Sequence, residues 1–385
     1  MQQDSTPSVD EVTLDRCQAP LAVSVVTTVA PVGEQQSLYI AVADRLYAVN
    51  ASDGTARWCQ QLKLNRELRY HPGVSYPPPL RMTFGTPRVV NGAVYVCASG
   101  YGNYTYAFNA RDGVLRWRTR TDGWIVSMPF SDFAVPVVKD GTVYHGTYAL
   151  NEQDGTVLWR IAIDTQWISL HALVDDTIYA ITQMGIYAIN AQNGEIHCLY
   201  QPDAHTIMSG PPLIFDHLLY VGTSGSVNHP EKSCFYALDA GTGTERWRYP
   251  MDSYMGAVIH NENIYVSSGD GFLYALDKNN GMPRWKYQFA SSGHYPATIA
   301  DNVLYINRDG VYALSSKDGV ILWHQHLGSS PSVSFTPSVV LDSVVYVASI
   351  DGHGEGVLYS LNASNGAEYW HAHYPSAIAP LAVAQ

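Results

Sequence analysis

The sequence predicts an all-β fold, an eight-bladed β-propeller of four-stranded antiparallel blades, and three observations carry that prediction. Turn glycines recur at Gly54, Gly113, Gly155, Gly194, Gly243, Gly281, Gly319 and Gly366. Seven residues before each stands a tyrosine: Tyr47, Tyr106, Tyr148, Tyr187, Tyr236, Tyr274, Tyr312 and Tyr359. Four residues after it stands a tryptophan in seven copies, at Trp58, Trp117, Trp159, Trp247, Trp285, Trp323 and Trp370, with Cys198 in the eighth. Three positions held in register through a chain of 385 residues are the mark of a repeat architecture.

Each copy reads as four strands, named A to D from the central channel outward. An inner strand A is often opened by proline (Pro87, Pro136, Pro296, Pro337). Strand B carries a second tyrosine series: Tyr39, Tyr95, Tyr144, Tyr179, Tyr220, Tyr265, Tyr305 and Tyr346. Strand C carries the first tyrosine, a polar turn ends at the glycine, and strand D carries the tryptophan. Four short strands repeated every 38–59 residues are a propeller pattern. The C–D turn has its own chemistry. Asx-Gly pairs such as Asp53–Gly54 and Asn280–Gly281 suit a tight hairpin, and Asn50, Asp239, Asp277 and their equivalents can cap the turn backbone. Strand D is expected at the outer edge. Pro283 lies in it, and nine of the 22 basic residues sit in these strands, Arg118, Arg160, Arg248 and Lys286 among them. The indoles are expected between neighbouring blades.

Residues 1–19 are polar and read as a flexible N-terminal tail, leaving 20–385 as one propeller. Near-identical Ala19–Val23 and Ala379–Val383 segments suggest that both ends supply inner strands where the ring closes. The net charge of −12 argues against nucleic acid and anionic membrane surfaces as partners. No apolar run reaches the ~18 residues of a membrane span, so no direct insertion is expected. The start lacks the features of a signal peptide, so an extracytoplasmic location presumes removal of a leader or anchor. Five scattered cysteines form no metal or redox spacing. A Cys17–Cys59 pair is the weaker reading, and small buried apolar roles are favoured for the cysteines.

The motif L-Y-A-L-D-x-x-x-G-x-x-x-W resembles the repeat of pyrroloquinoline quinone (PQQ)-type eight-bladed propellers over about residues 20–385. That family holds both catalysts and scaffolds. Its alcohol dehydrogenases use PQQ, calcium, a catalytic Asp and typically two adjacent cysteines, none of which can be matched here. The length is more similar to the propeller lipoprotein family of the bacterial β-barrel assembly machine, a non-catalytic scaffold, although D-R-C-Q around Cys17 is no lipobox. The resemblance therefore implies a monomeric, non-enzymatic scaffold for a protein or peptide, with no cofactor. The alternatives are a PQQ/calcium-dependent enzyme or the extracytoplasmic sensor portion of a larger membrane protein.

In an up-and-down blade, D–A links and B–C loops share one face, while A–B and C–D turns share the other. All length variation falls in the first set, as at 65–82, 224–233 and 351–356, and variable loops on a rigid frame are where binding residues collect. Trp124 and Trp167, the only tryptophans outside the repeat, lie in the D–A links beside blade 3. Blade 3 has a stunted B–C connection, with Tyr144 and Tyr148 four positions apart against 7–16 elsewhere. A notch there, with Tyr70, His71 and Tyr76 nearby, would suit an apolar anchor from a partner; plugging the channel mouth is the competing reading. His205 and His294 map to the same face, as do His229, His353, Asp270 and Glu355. These histidines are read as solvated loop residues or partner contacts and not as a metal site. His324–His326 and His371–His373 share strand faces at i, i+2 spacing, but are read as substitutes for the cations of other D strands.

Overall fold

The computed structural model describes residues 12–17, 22–25, 36–64, 83–99, 104–121, 135–161, 169–182, 185–202, 206–225, 228, 233–252, 254–289, 297–328, 333–350, 354–376 and 378–383. They form eight antiparallel sheets and contain no helix, hence none long and apolar enough to cross a membrane. Blade 6 sets the pattern: strand A is Tyr254–His260, B Asn263–Ser268, C Phe272–Asp277 and D Pro283–Gln288, each paired with the next. Strands B and C are apolar runs buried on both faces, because each blade is stacked between two others. Strand D alternates between exposed and half-buried side chains, as an outermost strand should.

The blades are joined through the C–D turn. Gly281 lies at φ +70°, and a Cβ there would collide with the Trp247 ring of the preceding blade, so both conformation and space demand glycine. The Trp247 indole N–H donates to the Lys278 carbonyl in the same turn at 3.0 Å, and the Tyr220 hydroxyl donates to that oxygen at 3.3 Å. The arrangement recurs around the ring. Trp285 and Tyr265 meet at the Ser316 carbonyl, Trp323 and Tyr305 at Ala363, and Trp159 and Tyr144 at Ala191. At six of the eight seams the two tyrosine and tryptophan series thus form one device: a single turn carbonyl takes two donors, so packing brings no unpaired polar group with it.

The N-terminal segment departs from expectation. Val12–Arg16 is no tail but a strand running antiparallel to the D strand of blade 1, Ala56–Leu64. Next to it Cys17 forms a disulfide with Cys59, with Cα atoms 5.2 Å apart, so these two cysteines are not the free apolar residues favoured above. Ala22–Val25 pairs outside the D strand of blade 8, Glu368–Tyr374. The expectation that both ends supply inner strands therefore holds only at the C-terminus, where Ala382–Val383 pairs with Ser37–Val42 as strand A of blade 1. The D strands of blades 1 and 8 are covered, and those of the other six blades form the outer edge.

Blade 4 departs in register. In the other seven blades a bulge falls at the residue before the tryptophan, which sets that tryptophan opposite an alanine of strand C, or opposite Ser360 in blade 8. In blade 4 the irregularity moves on to Leu199, so His197 stands opposite Ala188 and Cys198 opposite Tyr187. A one-residue slip turns a side chain to the other face of its sheet. Cys198 occupies the tryptophan's place in spacing only, and it is exposed.

Candidate functional site

The turn face is uniform. In each C–D turn the glycine N–H bonds the carbonyl four residues back, as Gly281 does to Asp277 at 2.8 Å. The Asp277 carboxylate accepts from the Asn279 N–H at 2.9 Å and from Arg284 at 2.6 Å, and the Arg284 bond holds its pKa below the usual carboxylate range. Asp239 repeats the arrangement with Arg246 at 2.7 Å and Thr242, which together bring it to about 2. A–B turns are two-residue links with left-handed residues such as Asp301–Asn302 and Asp342–Ser343. The carboxylates of this face serve its turns.

The opposite face carries the irregular connections. Every internal segment outside the described residues lies in a D–A link or a B–C connection, except 26–35, which precedes blade 1, and the neighbouring 18–21. The sequence-derived candidates Trp124, Trp167, Tyr70, His71, Tyr76, His205 and His294 all lie outside the described residues, as do His229 and His353. The stunted B–C connection of blade 3 is described, and only Gly146–Thr147 joins strands Thr142–His145 and Tyr148–Asn151. At its base is a residue that the sequence reading passed over. His145 is 2% exposed, with Nδ1 2.8 Å from the Thr105 hydroxyl of blade 2, and burial alone pushes its pKa down to about 4, so the ring is neutral at neutral pH.

Blades 6 and 7 each put an aspartate in this face. Asp270 is saturated, accepting from the Phe272 N–H at 3.0 Å and the Tyr274 hydroxyl at 2.8 Å. In blade 7, Asp309 sits between strands Val303–Asn307 and Gly310–Ser315 and faces strand Ile321–His326. Its Oδ1 is 3.6 Å from His324 Nε2, and its Oδ2 is 3.8 Å from His326 Nδ1. The reading of these histidines as cation substitutes has a structural counterpart. Arg160 lies over Tyr148 and Lys286 over Phe272, while His324 stacks on Tyr312 at 3.8 Å. What that reading missed is Asp309, which, like Asp270, lies in the short B–C connection just before strand C but one residue nearer its tyrosine. In blade 8 the His371 Nδ1 is bonded to Glu368 at 2.6 Å and the strand edge is covered.

Large apolar side chains also lie exposed near the start of strand D: Val114 and Leu115 in blade 2, Val157 and Leu158 in blade 3, and Val320 and Leu322 in blade 7. Among the described residues these outer positions form the main exposed apolar surface, and the repeat motif gives no hint of them.

Fold and repeat together define a PQQ-like repeat propeller. The chain belongs to the family described as outer membrane protein assembly factor BamB, whose profile matches residues 13–249 and 230–379. No curated protein sequence matches it. BamB from Moraxella catarrhalis is similar in structure, with a TM-score of 0.55 at 14% identity, covering 91% of this chain and 97% of that one. The quinohemoprotein alcohol dehydrogenase of Comamonas testosteroni is similar at TM-score 0.58 and 14% identity, over 76% of this chain and 67% of that one. So is the computationally designed Ika8 protein, at TM-score 0.57 and 15% identity, over 74% and 85%. At such identities the likeness speaks of fold alone, and a scaffold, an enzyme and a designed protein share it.

Proposed function

We propose that this chain is a non-catalytic, monomeric scaffold that binds a protein or peptide partner through its D–A/B–C face, outside the cytoplasm. The observation that carries the reading is the division of the two faces. One is built from near-identical capped turns, and the other holds all the irregular connections, including those with Trp124, Trp167, Tyr70, His71, Tyr76, His205 and His294. Family membership supports an assembly role with protein partners. The Cys17–Cys59 disulfide supports an oxidising compartment, where such bonds persist. A net charge of −12 favours a partner surface that is not strongly acidic.

The fold likeness to quinohemoprotein dehydrogenases gives the second reading. No two of the five cysteines are adjacent in sequence, so the residues do not fit the vicinal pair expected of a PQQ enzyme. The test places a photo-crosslinking amino acid at 124 or 167 on one face, and at 112 or 158 on the turn side, in the organism that makes the protein. A single protein partner crosslinked from 124 and 167, and lost in a folded Trp124→Ala/Trp167→Ala variant bearing the crosslinker at 71, is the expected result. Crosslinks from 112 or 158 alone would overturn the choice of face. A stable chromophore with dye-linked alcohol oxidation on adding PQQ and Ca²⁺ would overturn the scaffold reading.

A further inference from the structure

We propose that Asp309, His324 and His326 form a binding site for a divalent first-row transition ion, with zinc the best match. Two imidazoles and one carboxylate are a donor set that zinc accepts. Their ligand atoms all lie within 4.8 Å of one another, and no other such group of three occurs among the described residues. Bonds of 2.0–2.1 Å in tetrahedral geometry place ligand atoms about 3.3 Å apart. The two aspartate–histidine separations, 3.6 and 3.8 Å, need only a few tenths of an ångström of closure, and the remaining separations, all within 4.8 Å, are closed by side-chain rotation. A fourth position is left to water.

The frame holds these donors together without a metal. His324 and His326 are two apart on one strand and so share a face. The Leu327 N–H bonds the Asp309 carbonyl at 3.2 Å, tying the aspartate to the end of the histidine strand. The Arg308 N–H bonds the Gly310 carbonyl at 2.9 Å and fixes the short connection. His324 is further held by its stack on Tyr312.

The aspartate is also unfinished. Asp309 Oδ1 is shut off from solvent and accepts no hydrogen bond among the described residues, whereas both oxygens of Asp270 in the adjacent blade are engaged. The Arg308 charge works against a cation here, which favours an ion with strong imidazole preference over calcium or magnesium. Strand D of blade 7 is an open edge and His326 is exposed, so an ion has a path in. In blade 8, His371 is already bonded to Glu368 and its strand edge is covered, which supplies a control within the same molecule.

The experiment titrates Zn²⁺ into the metal-stripped full chain by calorimetry and repeats the titration with Co²⁺, followed by visible absorption. The wild type is expected to take up Zn²⁺ at this site and to give the intense bands of four-coordinate cobalt. His326→Gln and Asp309→Asn are expected to weaken binding by about tenfold or more and to erase the bands, while His373→Gln binds as the wild type does. His326 is exposed, so its variant folds, and circular dichroism checks this for both. Wild-type affinity, stoichiometry and cobalt spectrum in both His326→Gln and Asp309→Asn would overturn the proposal. So would a wild type that leaves Zn²⁺ unbound at millimolar concentration.

Discussion

The seam between blades 8 and 1 and the seam between blades 4 and 5 do the same job with different means. At the first, Trp370 is 1% exposed, its indole N–H reaches the Ala51 carbonyl at 3.2 Å, and the Tyr346 hydroxyl reaches the same oxygen at 3.0 Å. Gly54 lies so close that a Cβ there would stand 2.7 Å from the indole. The chain adds a strand outside each of the two blades and a disulfide beside them. Among the described residues the second seam has no indole. The Ala240 carbonyl receives the Tyr179 hydroxyl alone, at 3.2 Å, and Gly243 is pressed by the Leu199 backbone carbonyl instead of a ring. The difference follows the chain. Blades 4 and 5 are consecutive in sequence, whereas closure at blade 1 relies on a short inner strand, Ala382–Val383, joined to strand B by hydrogen bonds alone. Fastening is concentrated where covalent continuity ends.

The largest expected effect tests that concentration directly. Trp370→Ala removes a fully enclosed indole and leaves a cavity between the first and last blades, at about 3–5 kcal/mol by urea unfolding. Trp285→Ala, in an ordinary seam where the ring is only half-buried, is expected to lose less. Equal losses would break the comparison, because closure would then be one seam among eight.

A smaller effect is expected at the disulfide. Cys17→Ser frees the strand Val12–Arg16 from the edge of blade 1 and should lower stability by about 2–4 kcal/mol. The urea midpoint of the wild type should fall under reducing conditions and that of the variant should not. If reduction leaves the wild-type midpoint in place, the bond adds nothing to closure.

How much of this was legible in the sequence depends on the scale of the contact. Blade number, strand order and the turn chemistry were readable because each rests on residues a few positions apart, such as Tyr274, Gly281 and Trp285. The outer strands from the N-terminus were not, because their pairing joins Val12 to Leu64 and Val25 to Trp370, and segments of four or five residues carry no local sign of such partners. Cys17–Cys59 was considered but not favoured, because a separation of 42 residues says nothing of proximity until the outer strand is known. At the candidate sites the record is mixed. The His324–His326 spacing was seen, but Asp309 joins it only through the hairpin geometry of blade 7. The tryptophans and histidines chosen for partner binding lie in irregular connections, where no repeat fixes position.

The smallest expected effect is the sharpest test of the contrast between the two seams. If blade 4 lacked only the side chain, Cys198→Trp would rebuild the missing indole and stabilise the fold. The register argues otherwise. The bulge that sets the other seven tryptophans opposite strand C has moved to Leu199, and position 198 faces the outer side. The slot that an indole would fill is already taken by the Leu199 carbonyl against Gly243. Cys198→Trp is therefore expected to change stability by no more than about 0.5 kcal/mol, as other surface substitutions do. Its new fluorophore should emit like a solvent-exposed indole. A clear gain in stability with blue-shifted emission would mean that blade 4 can recover the common register, and that its slack seam reflects a lost side chain rather than a different backbone.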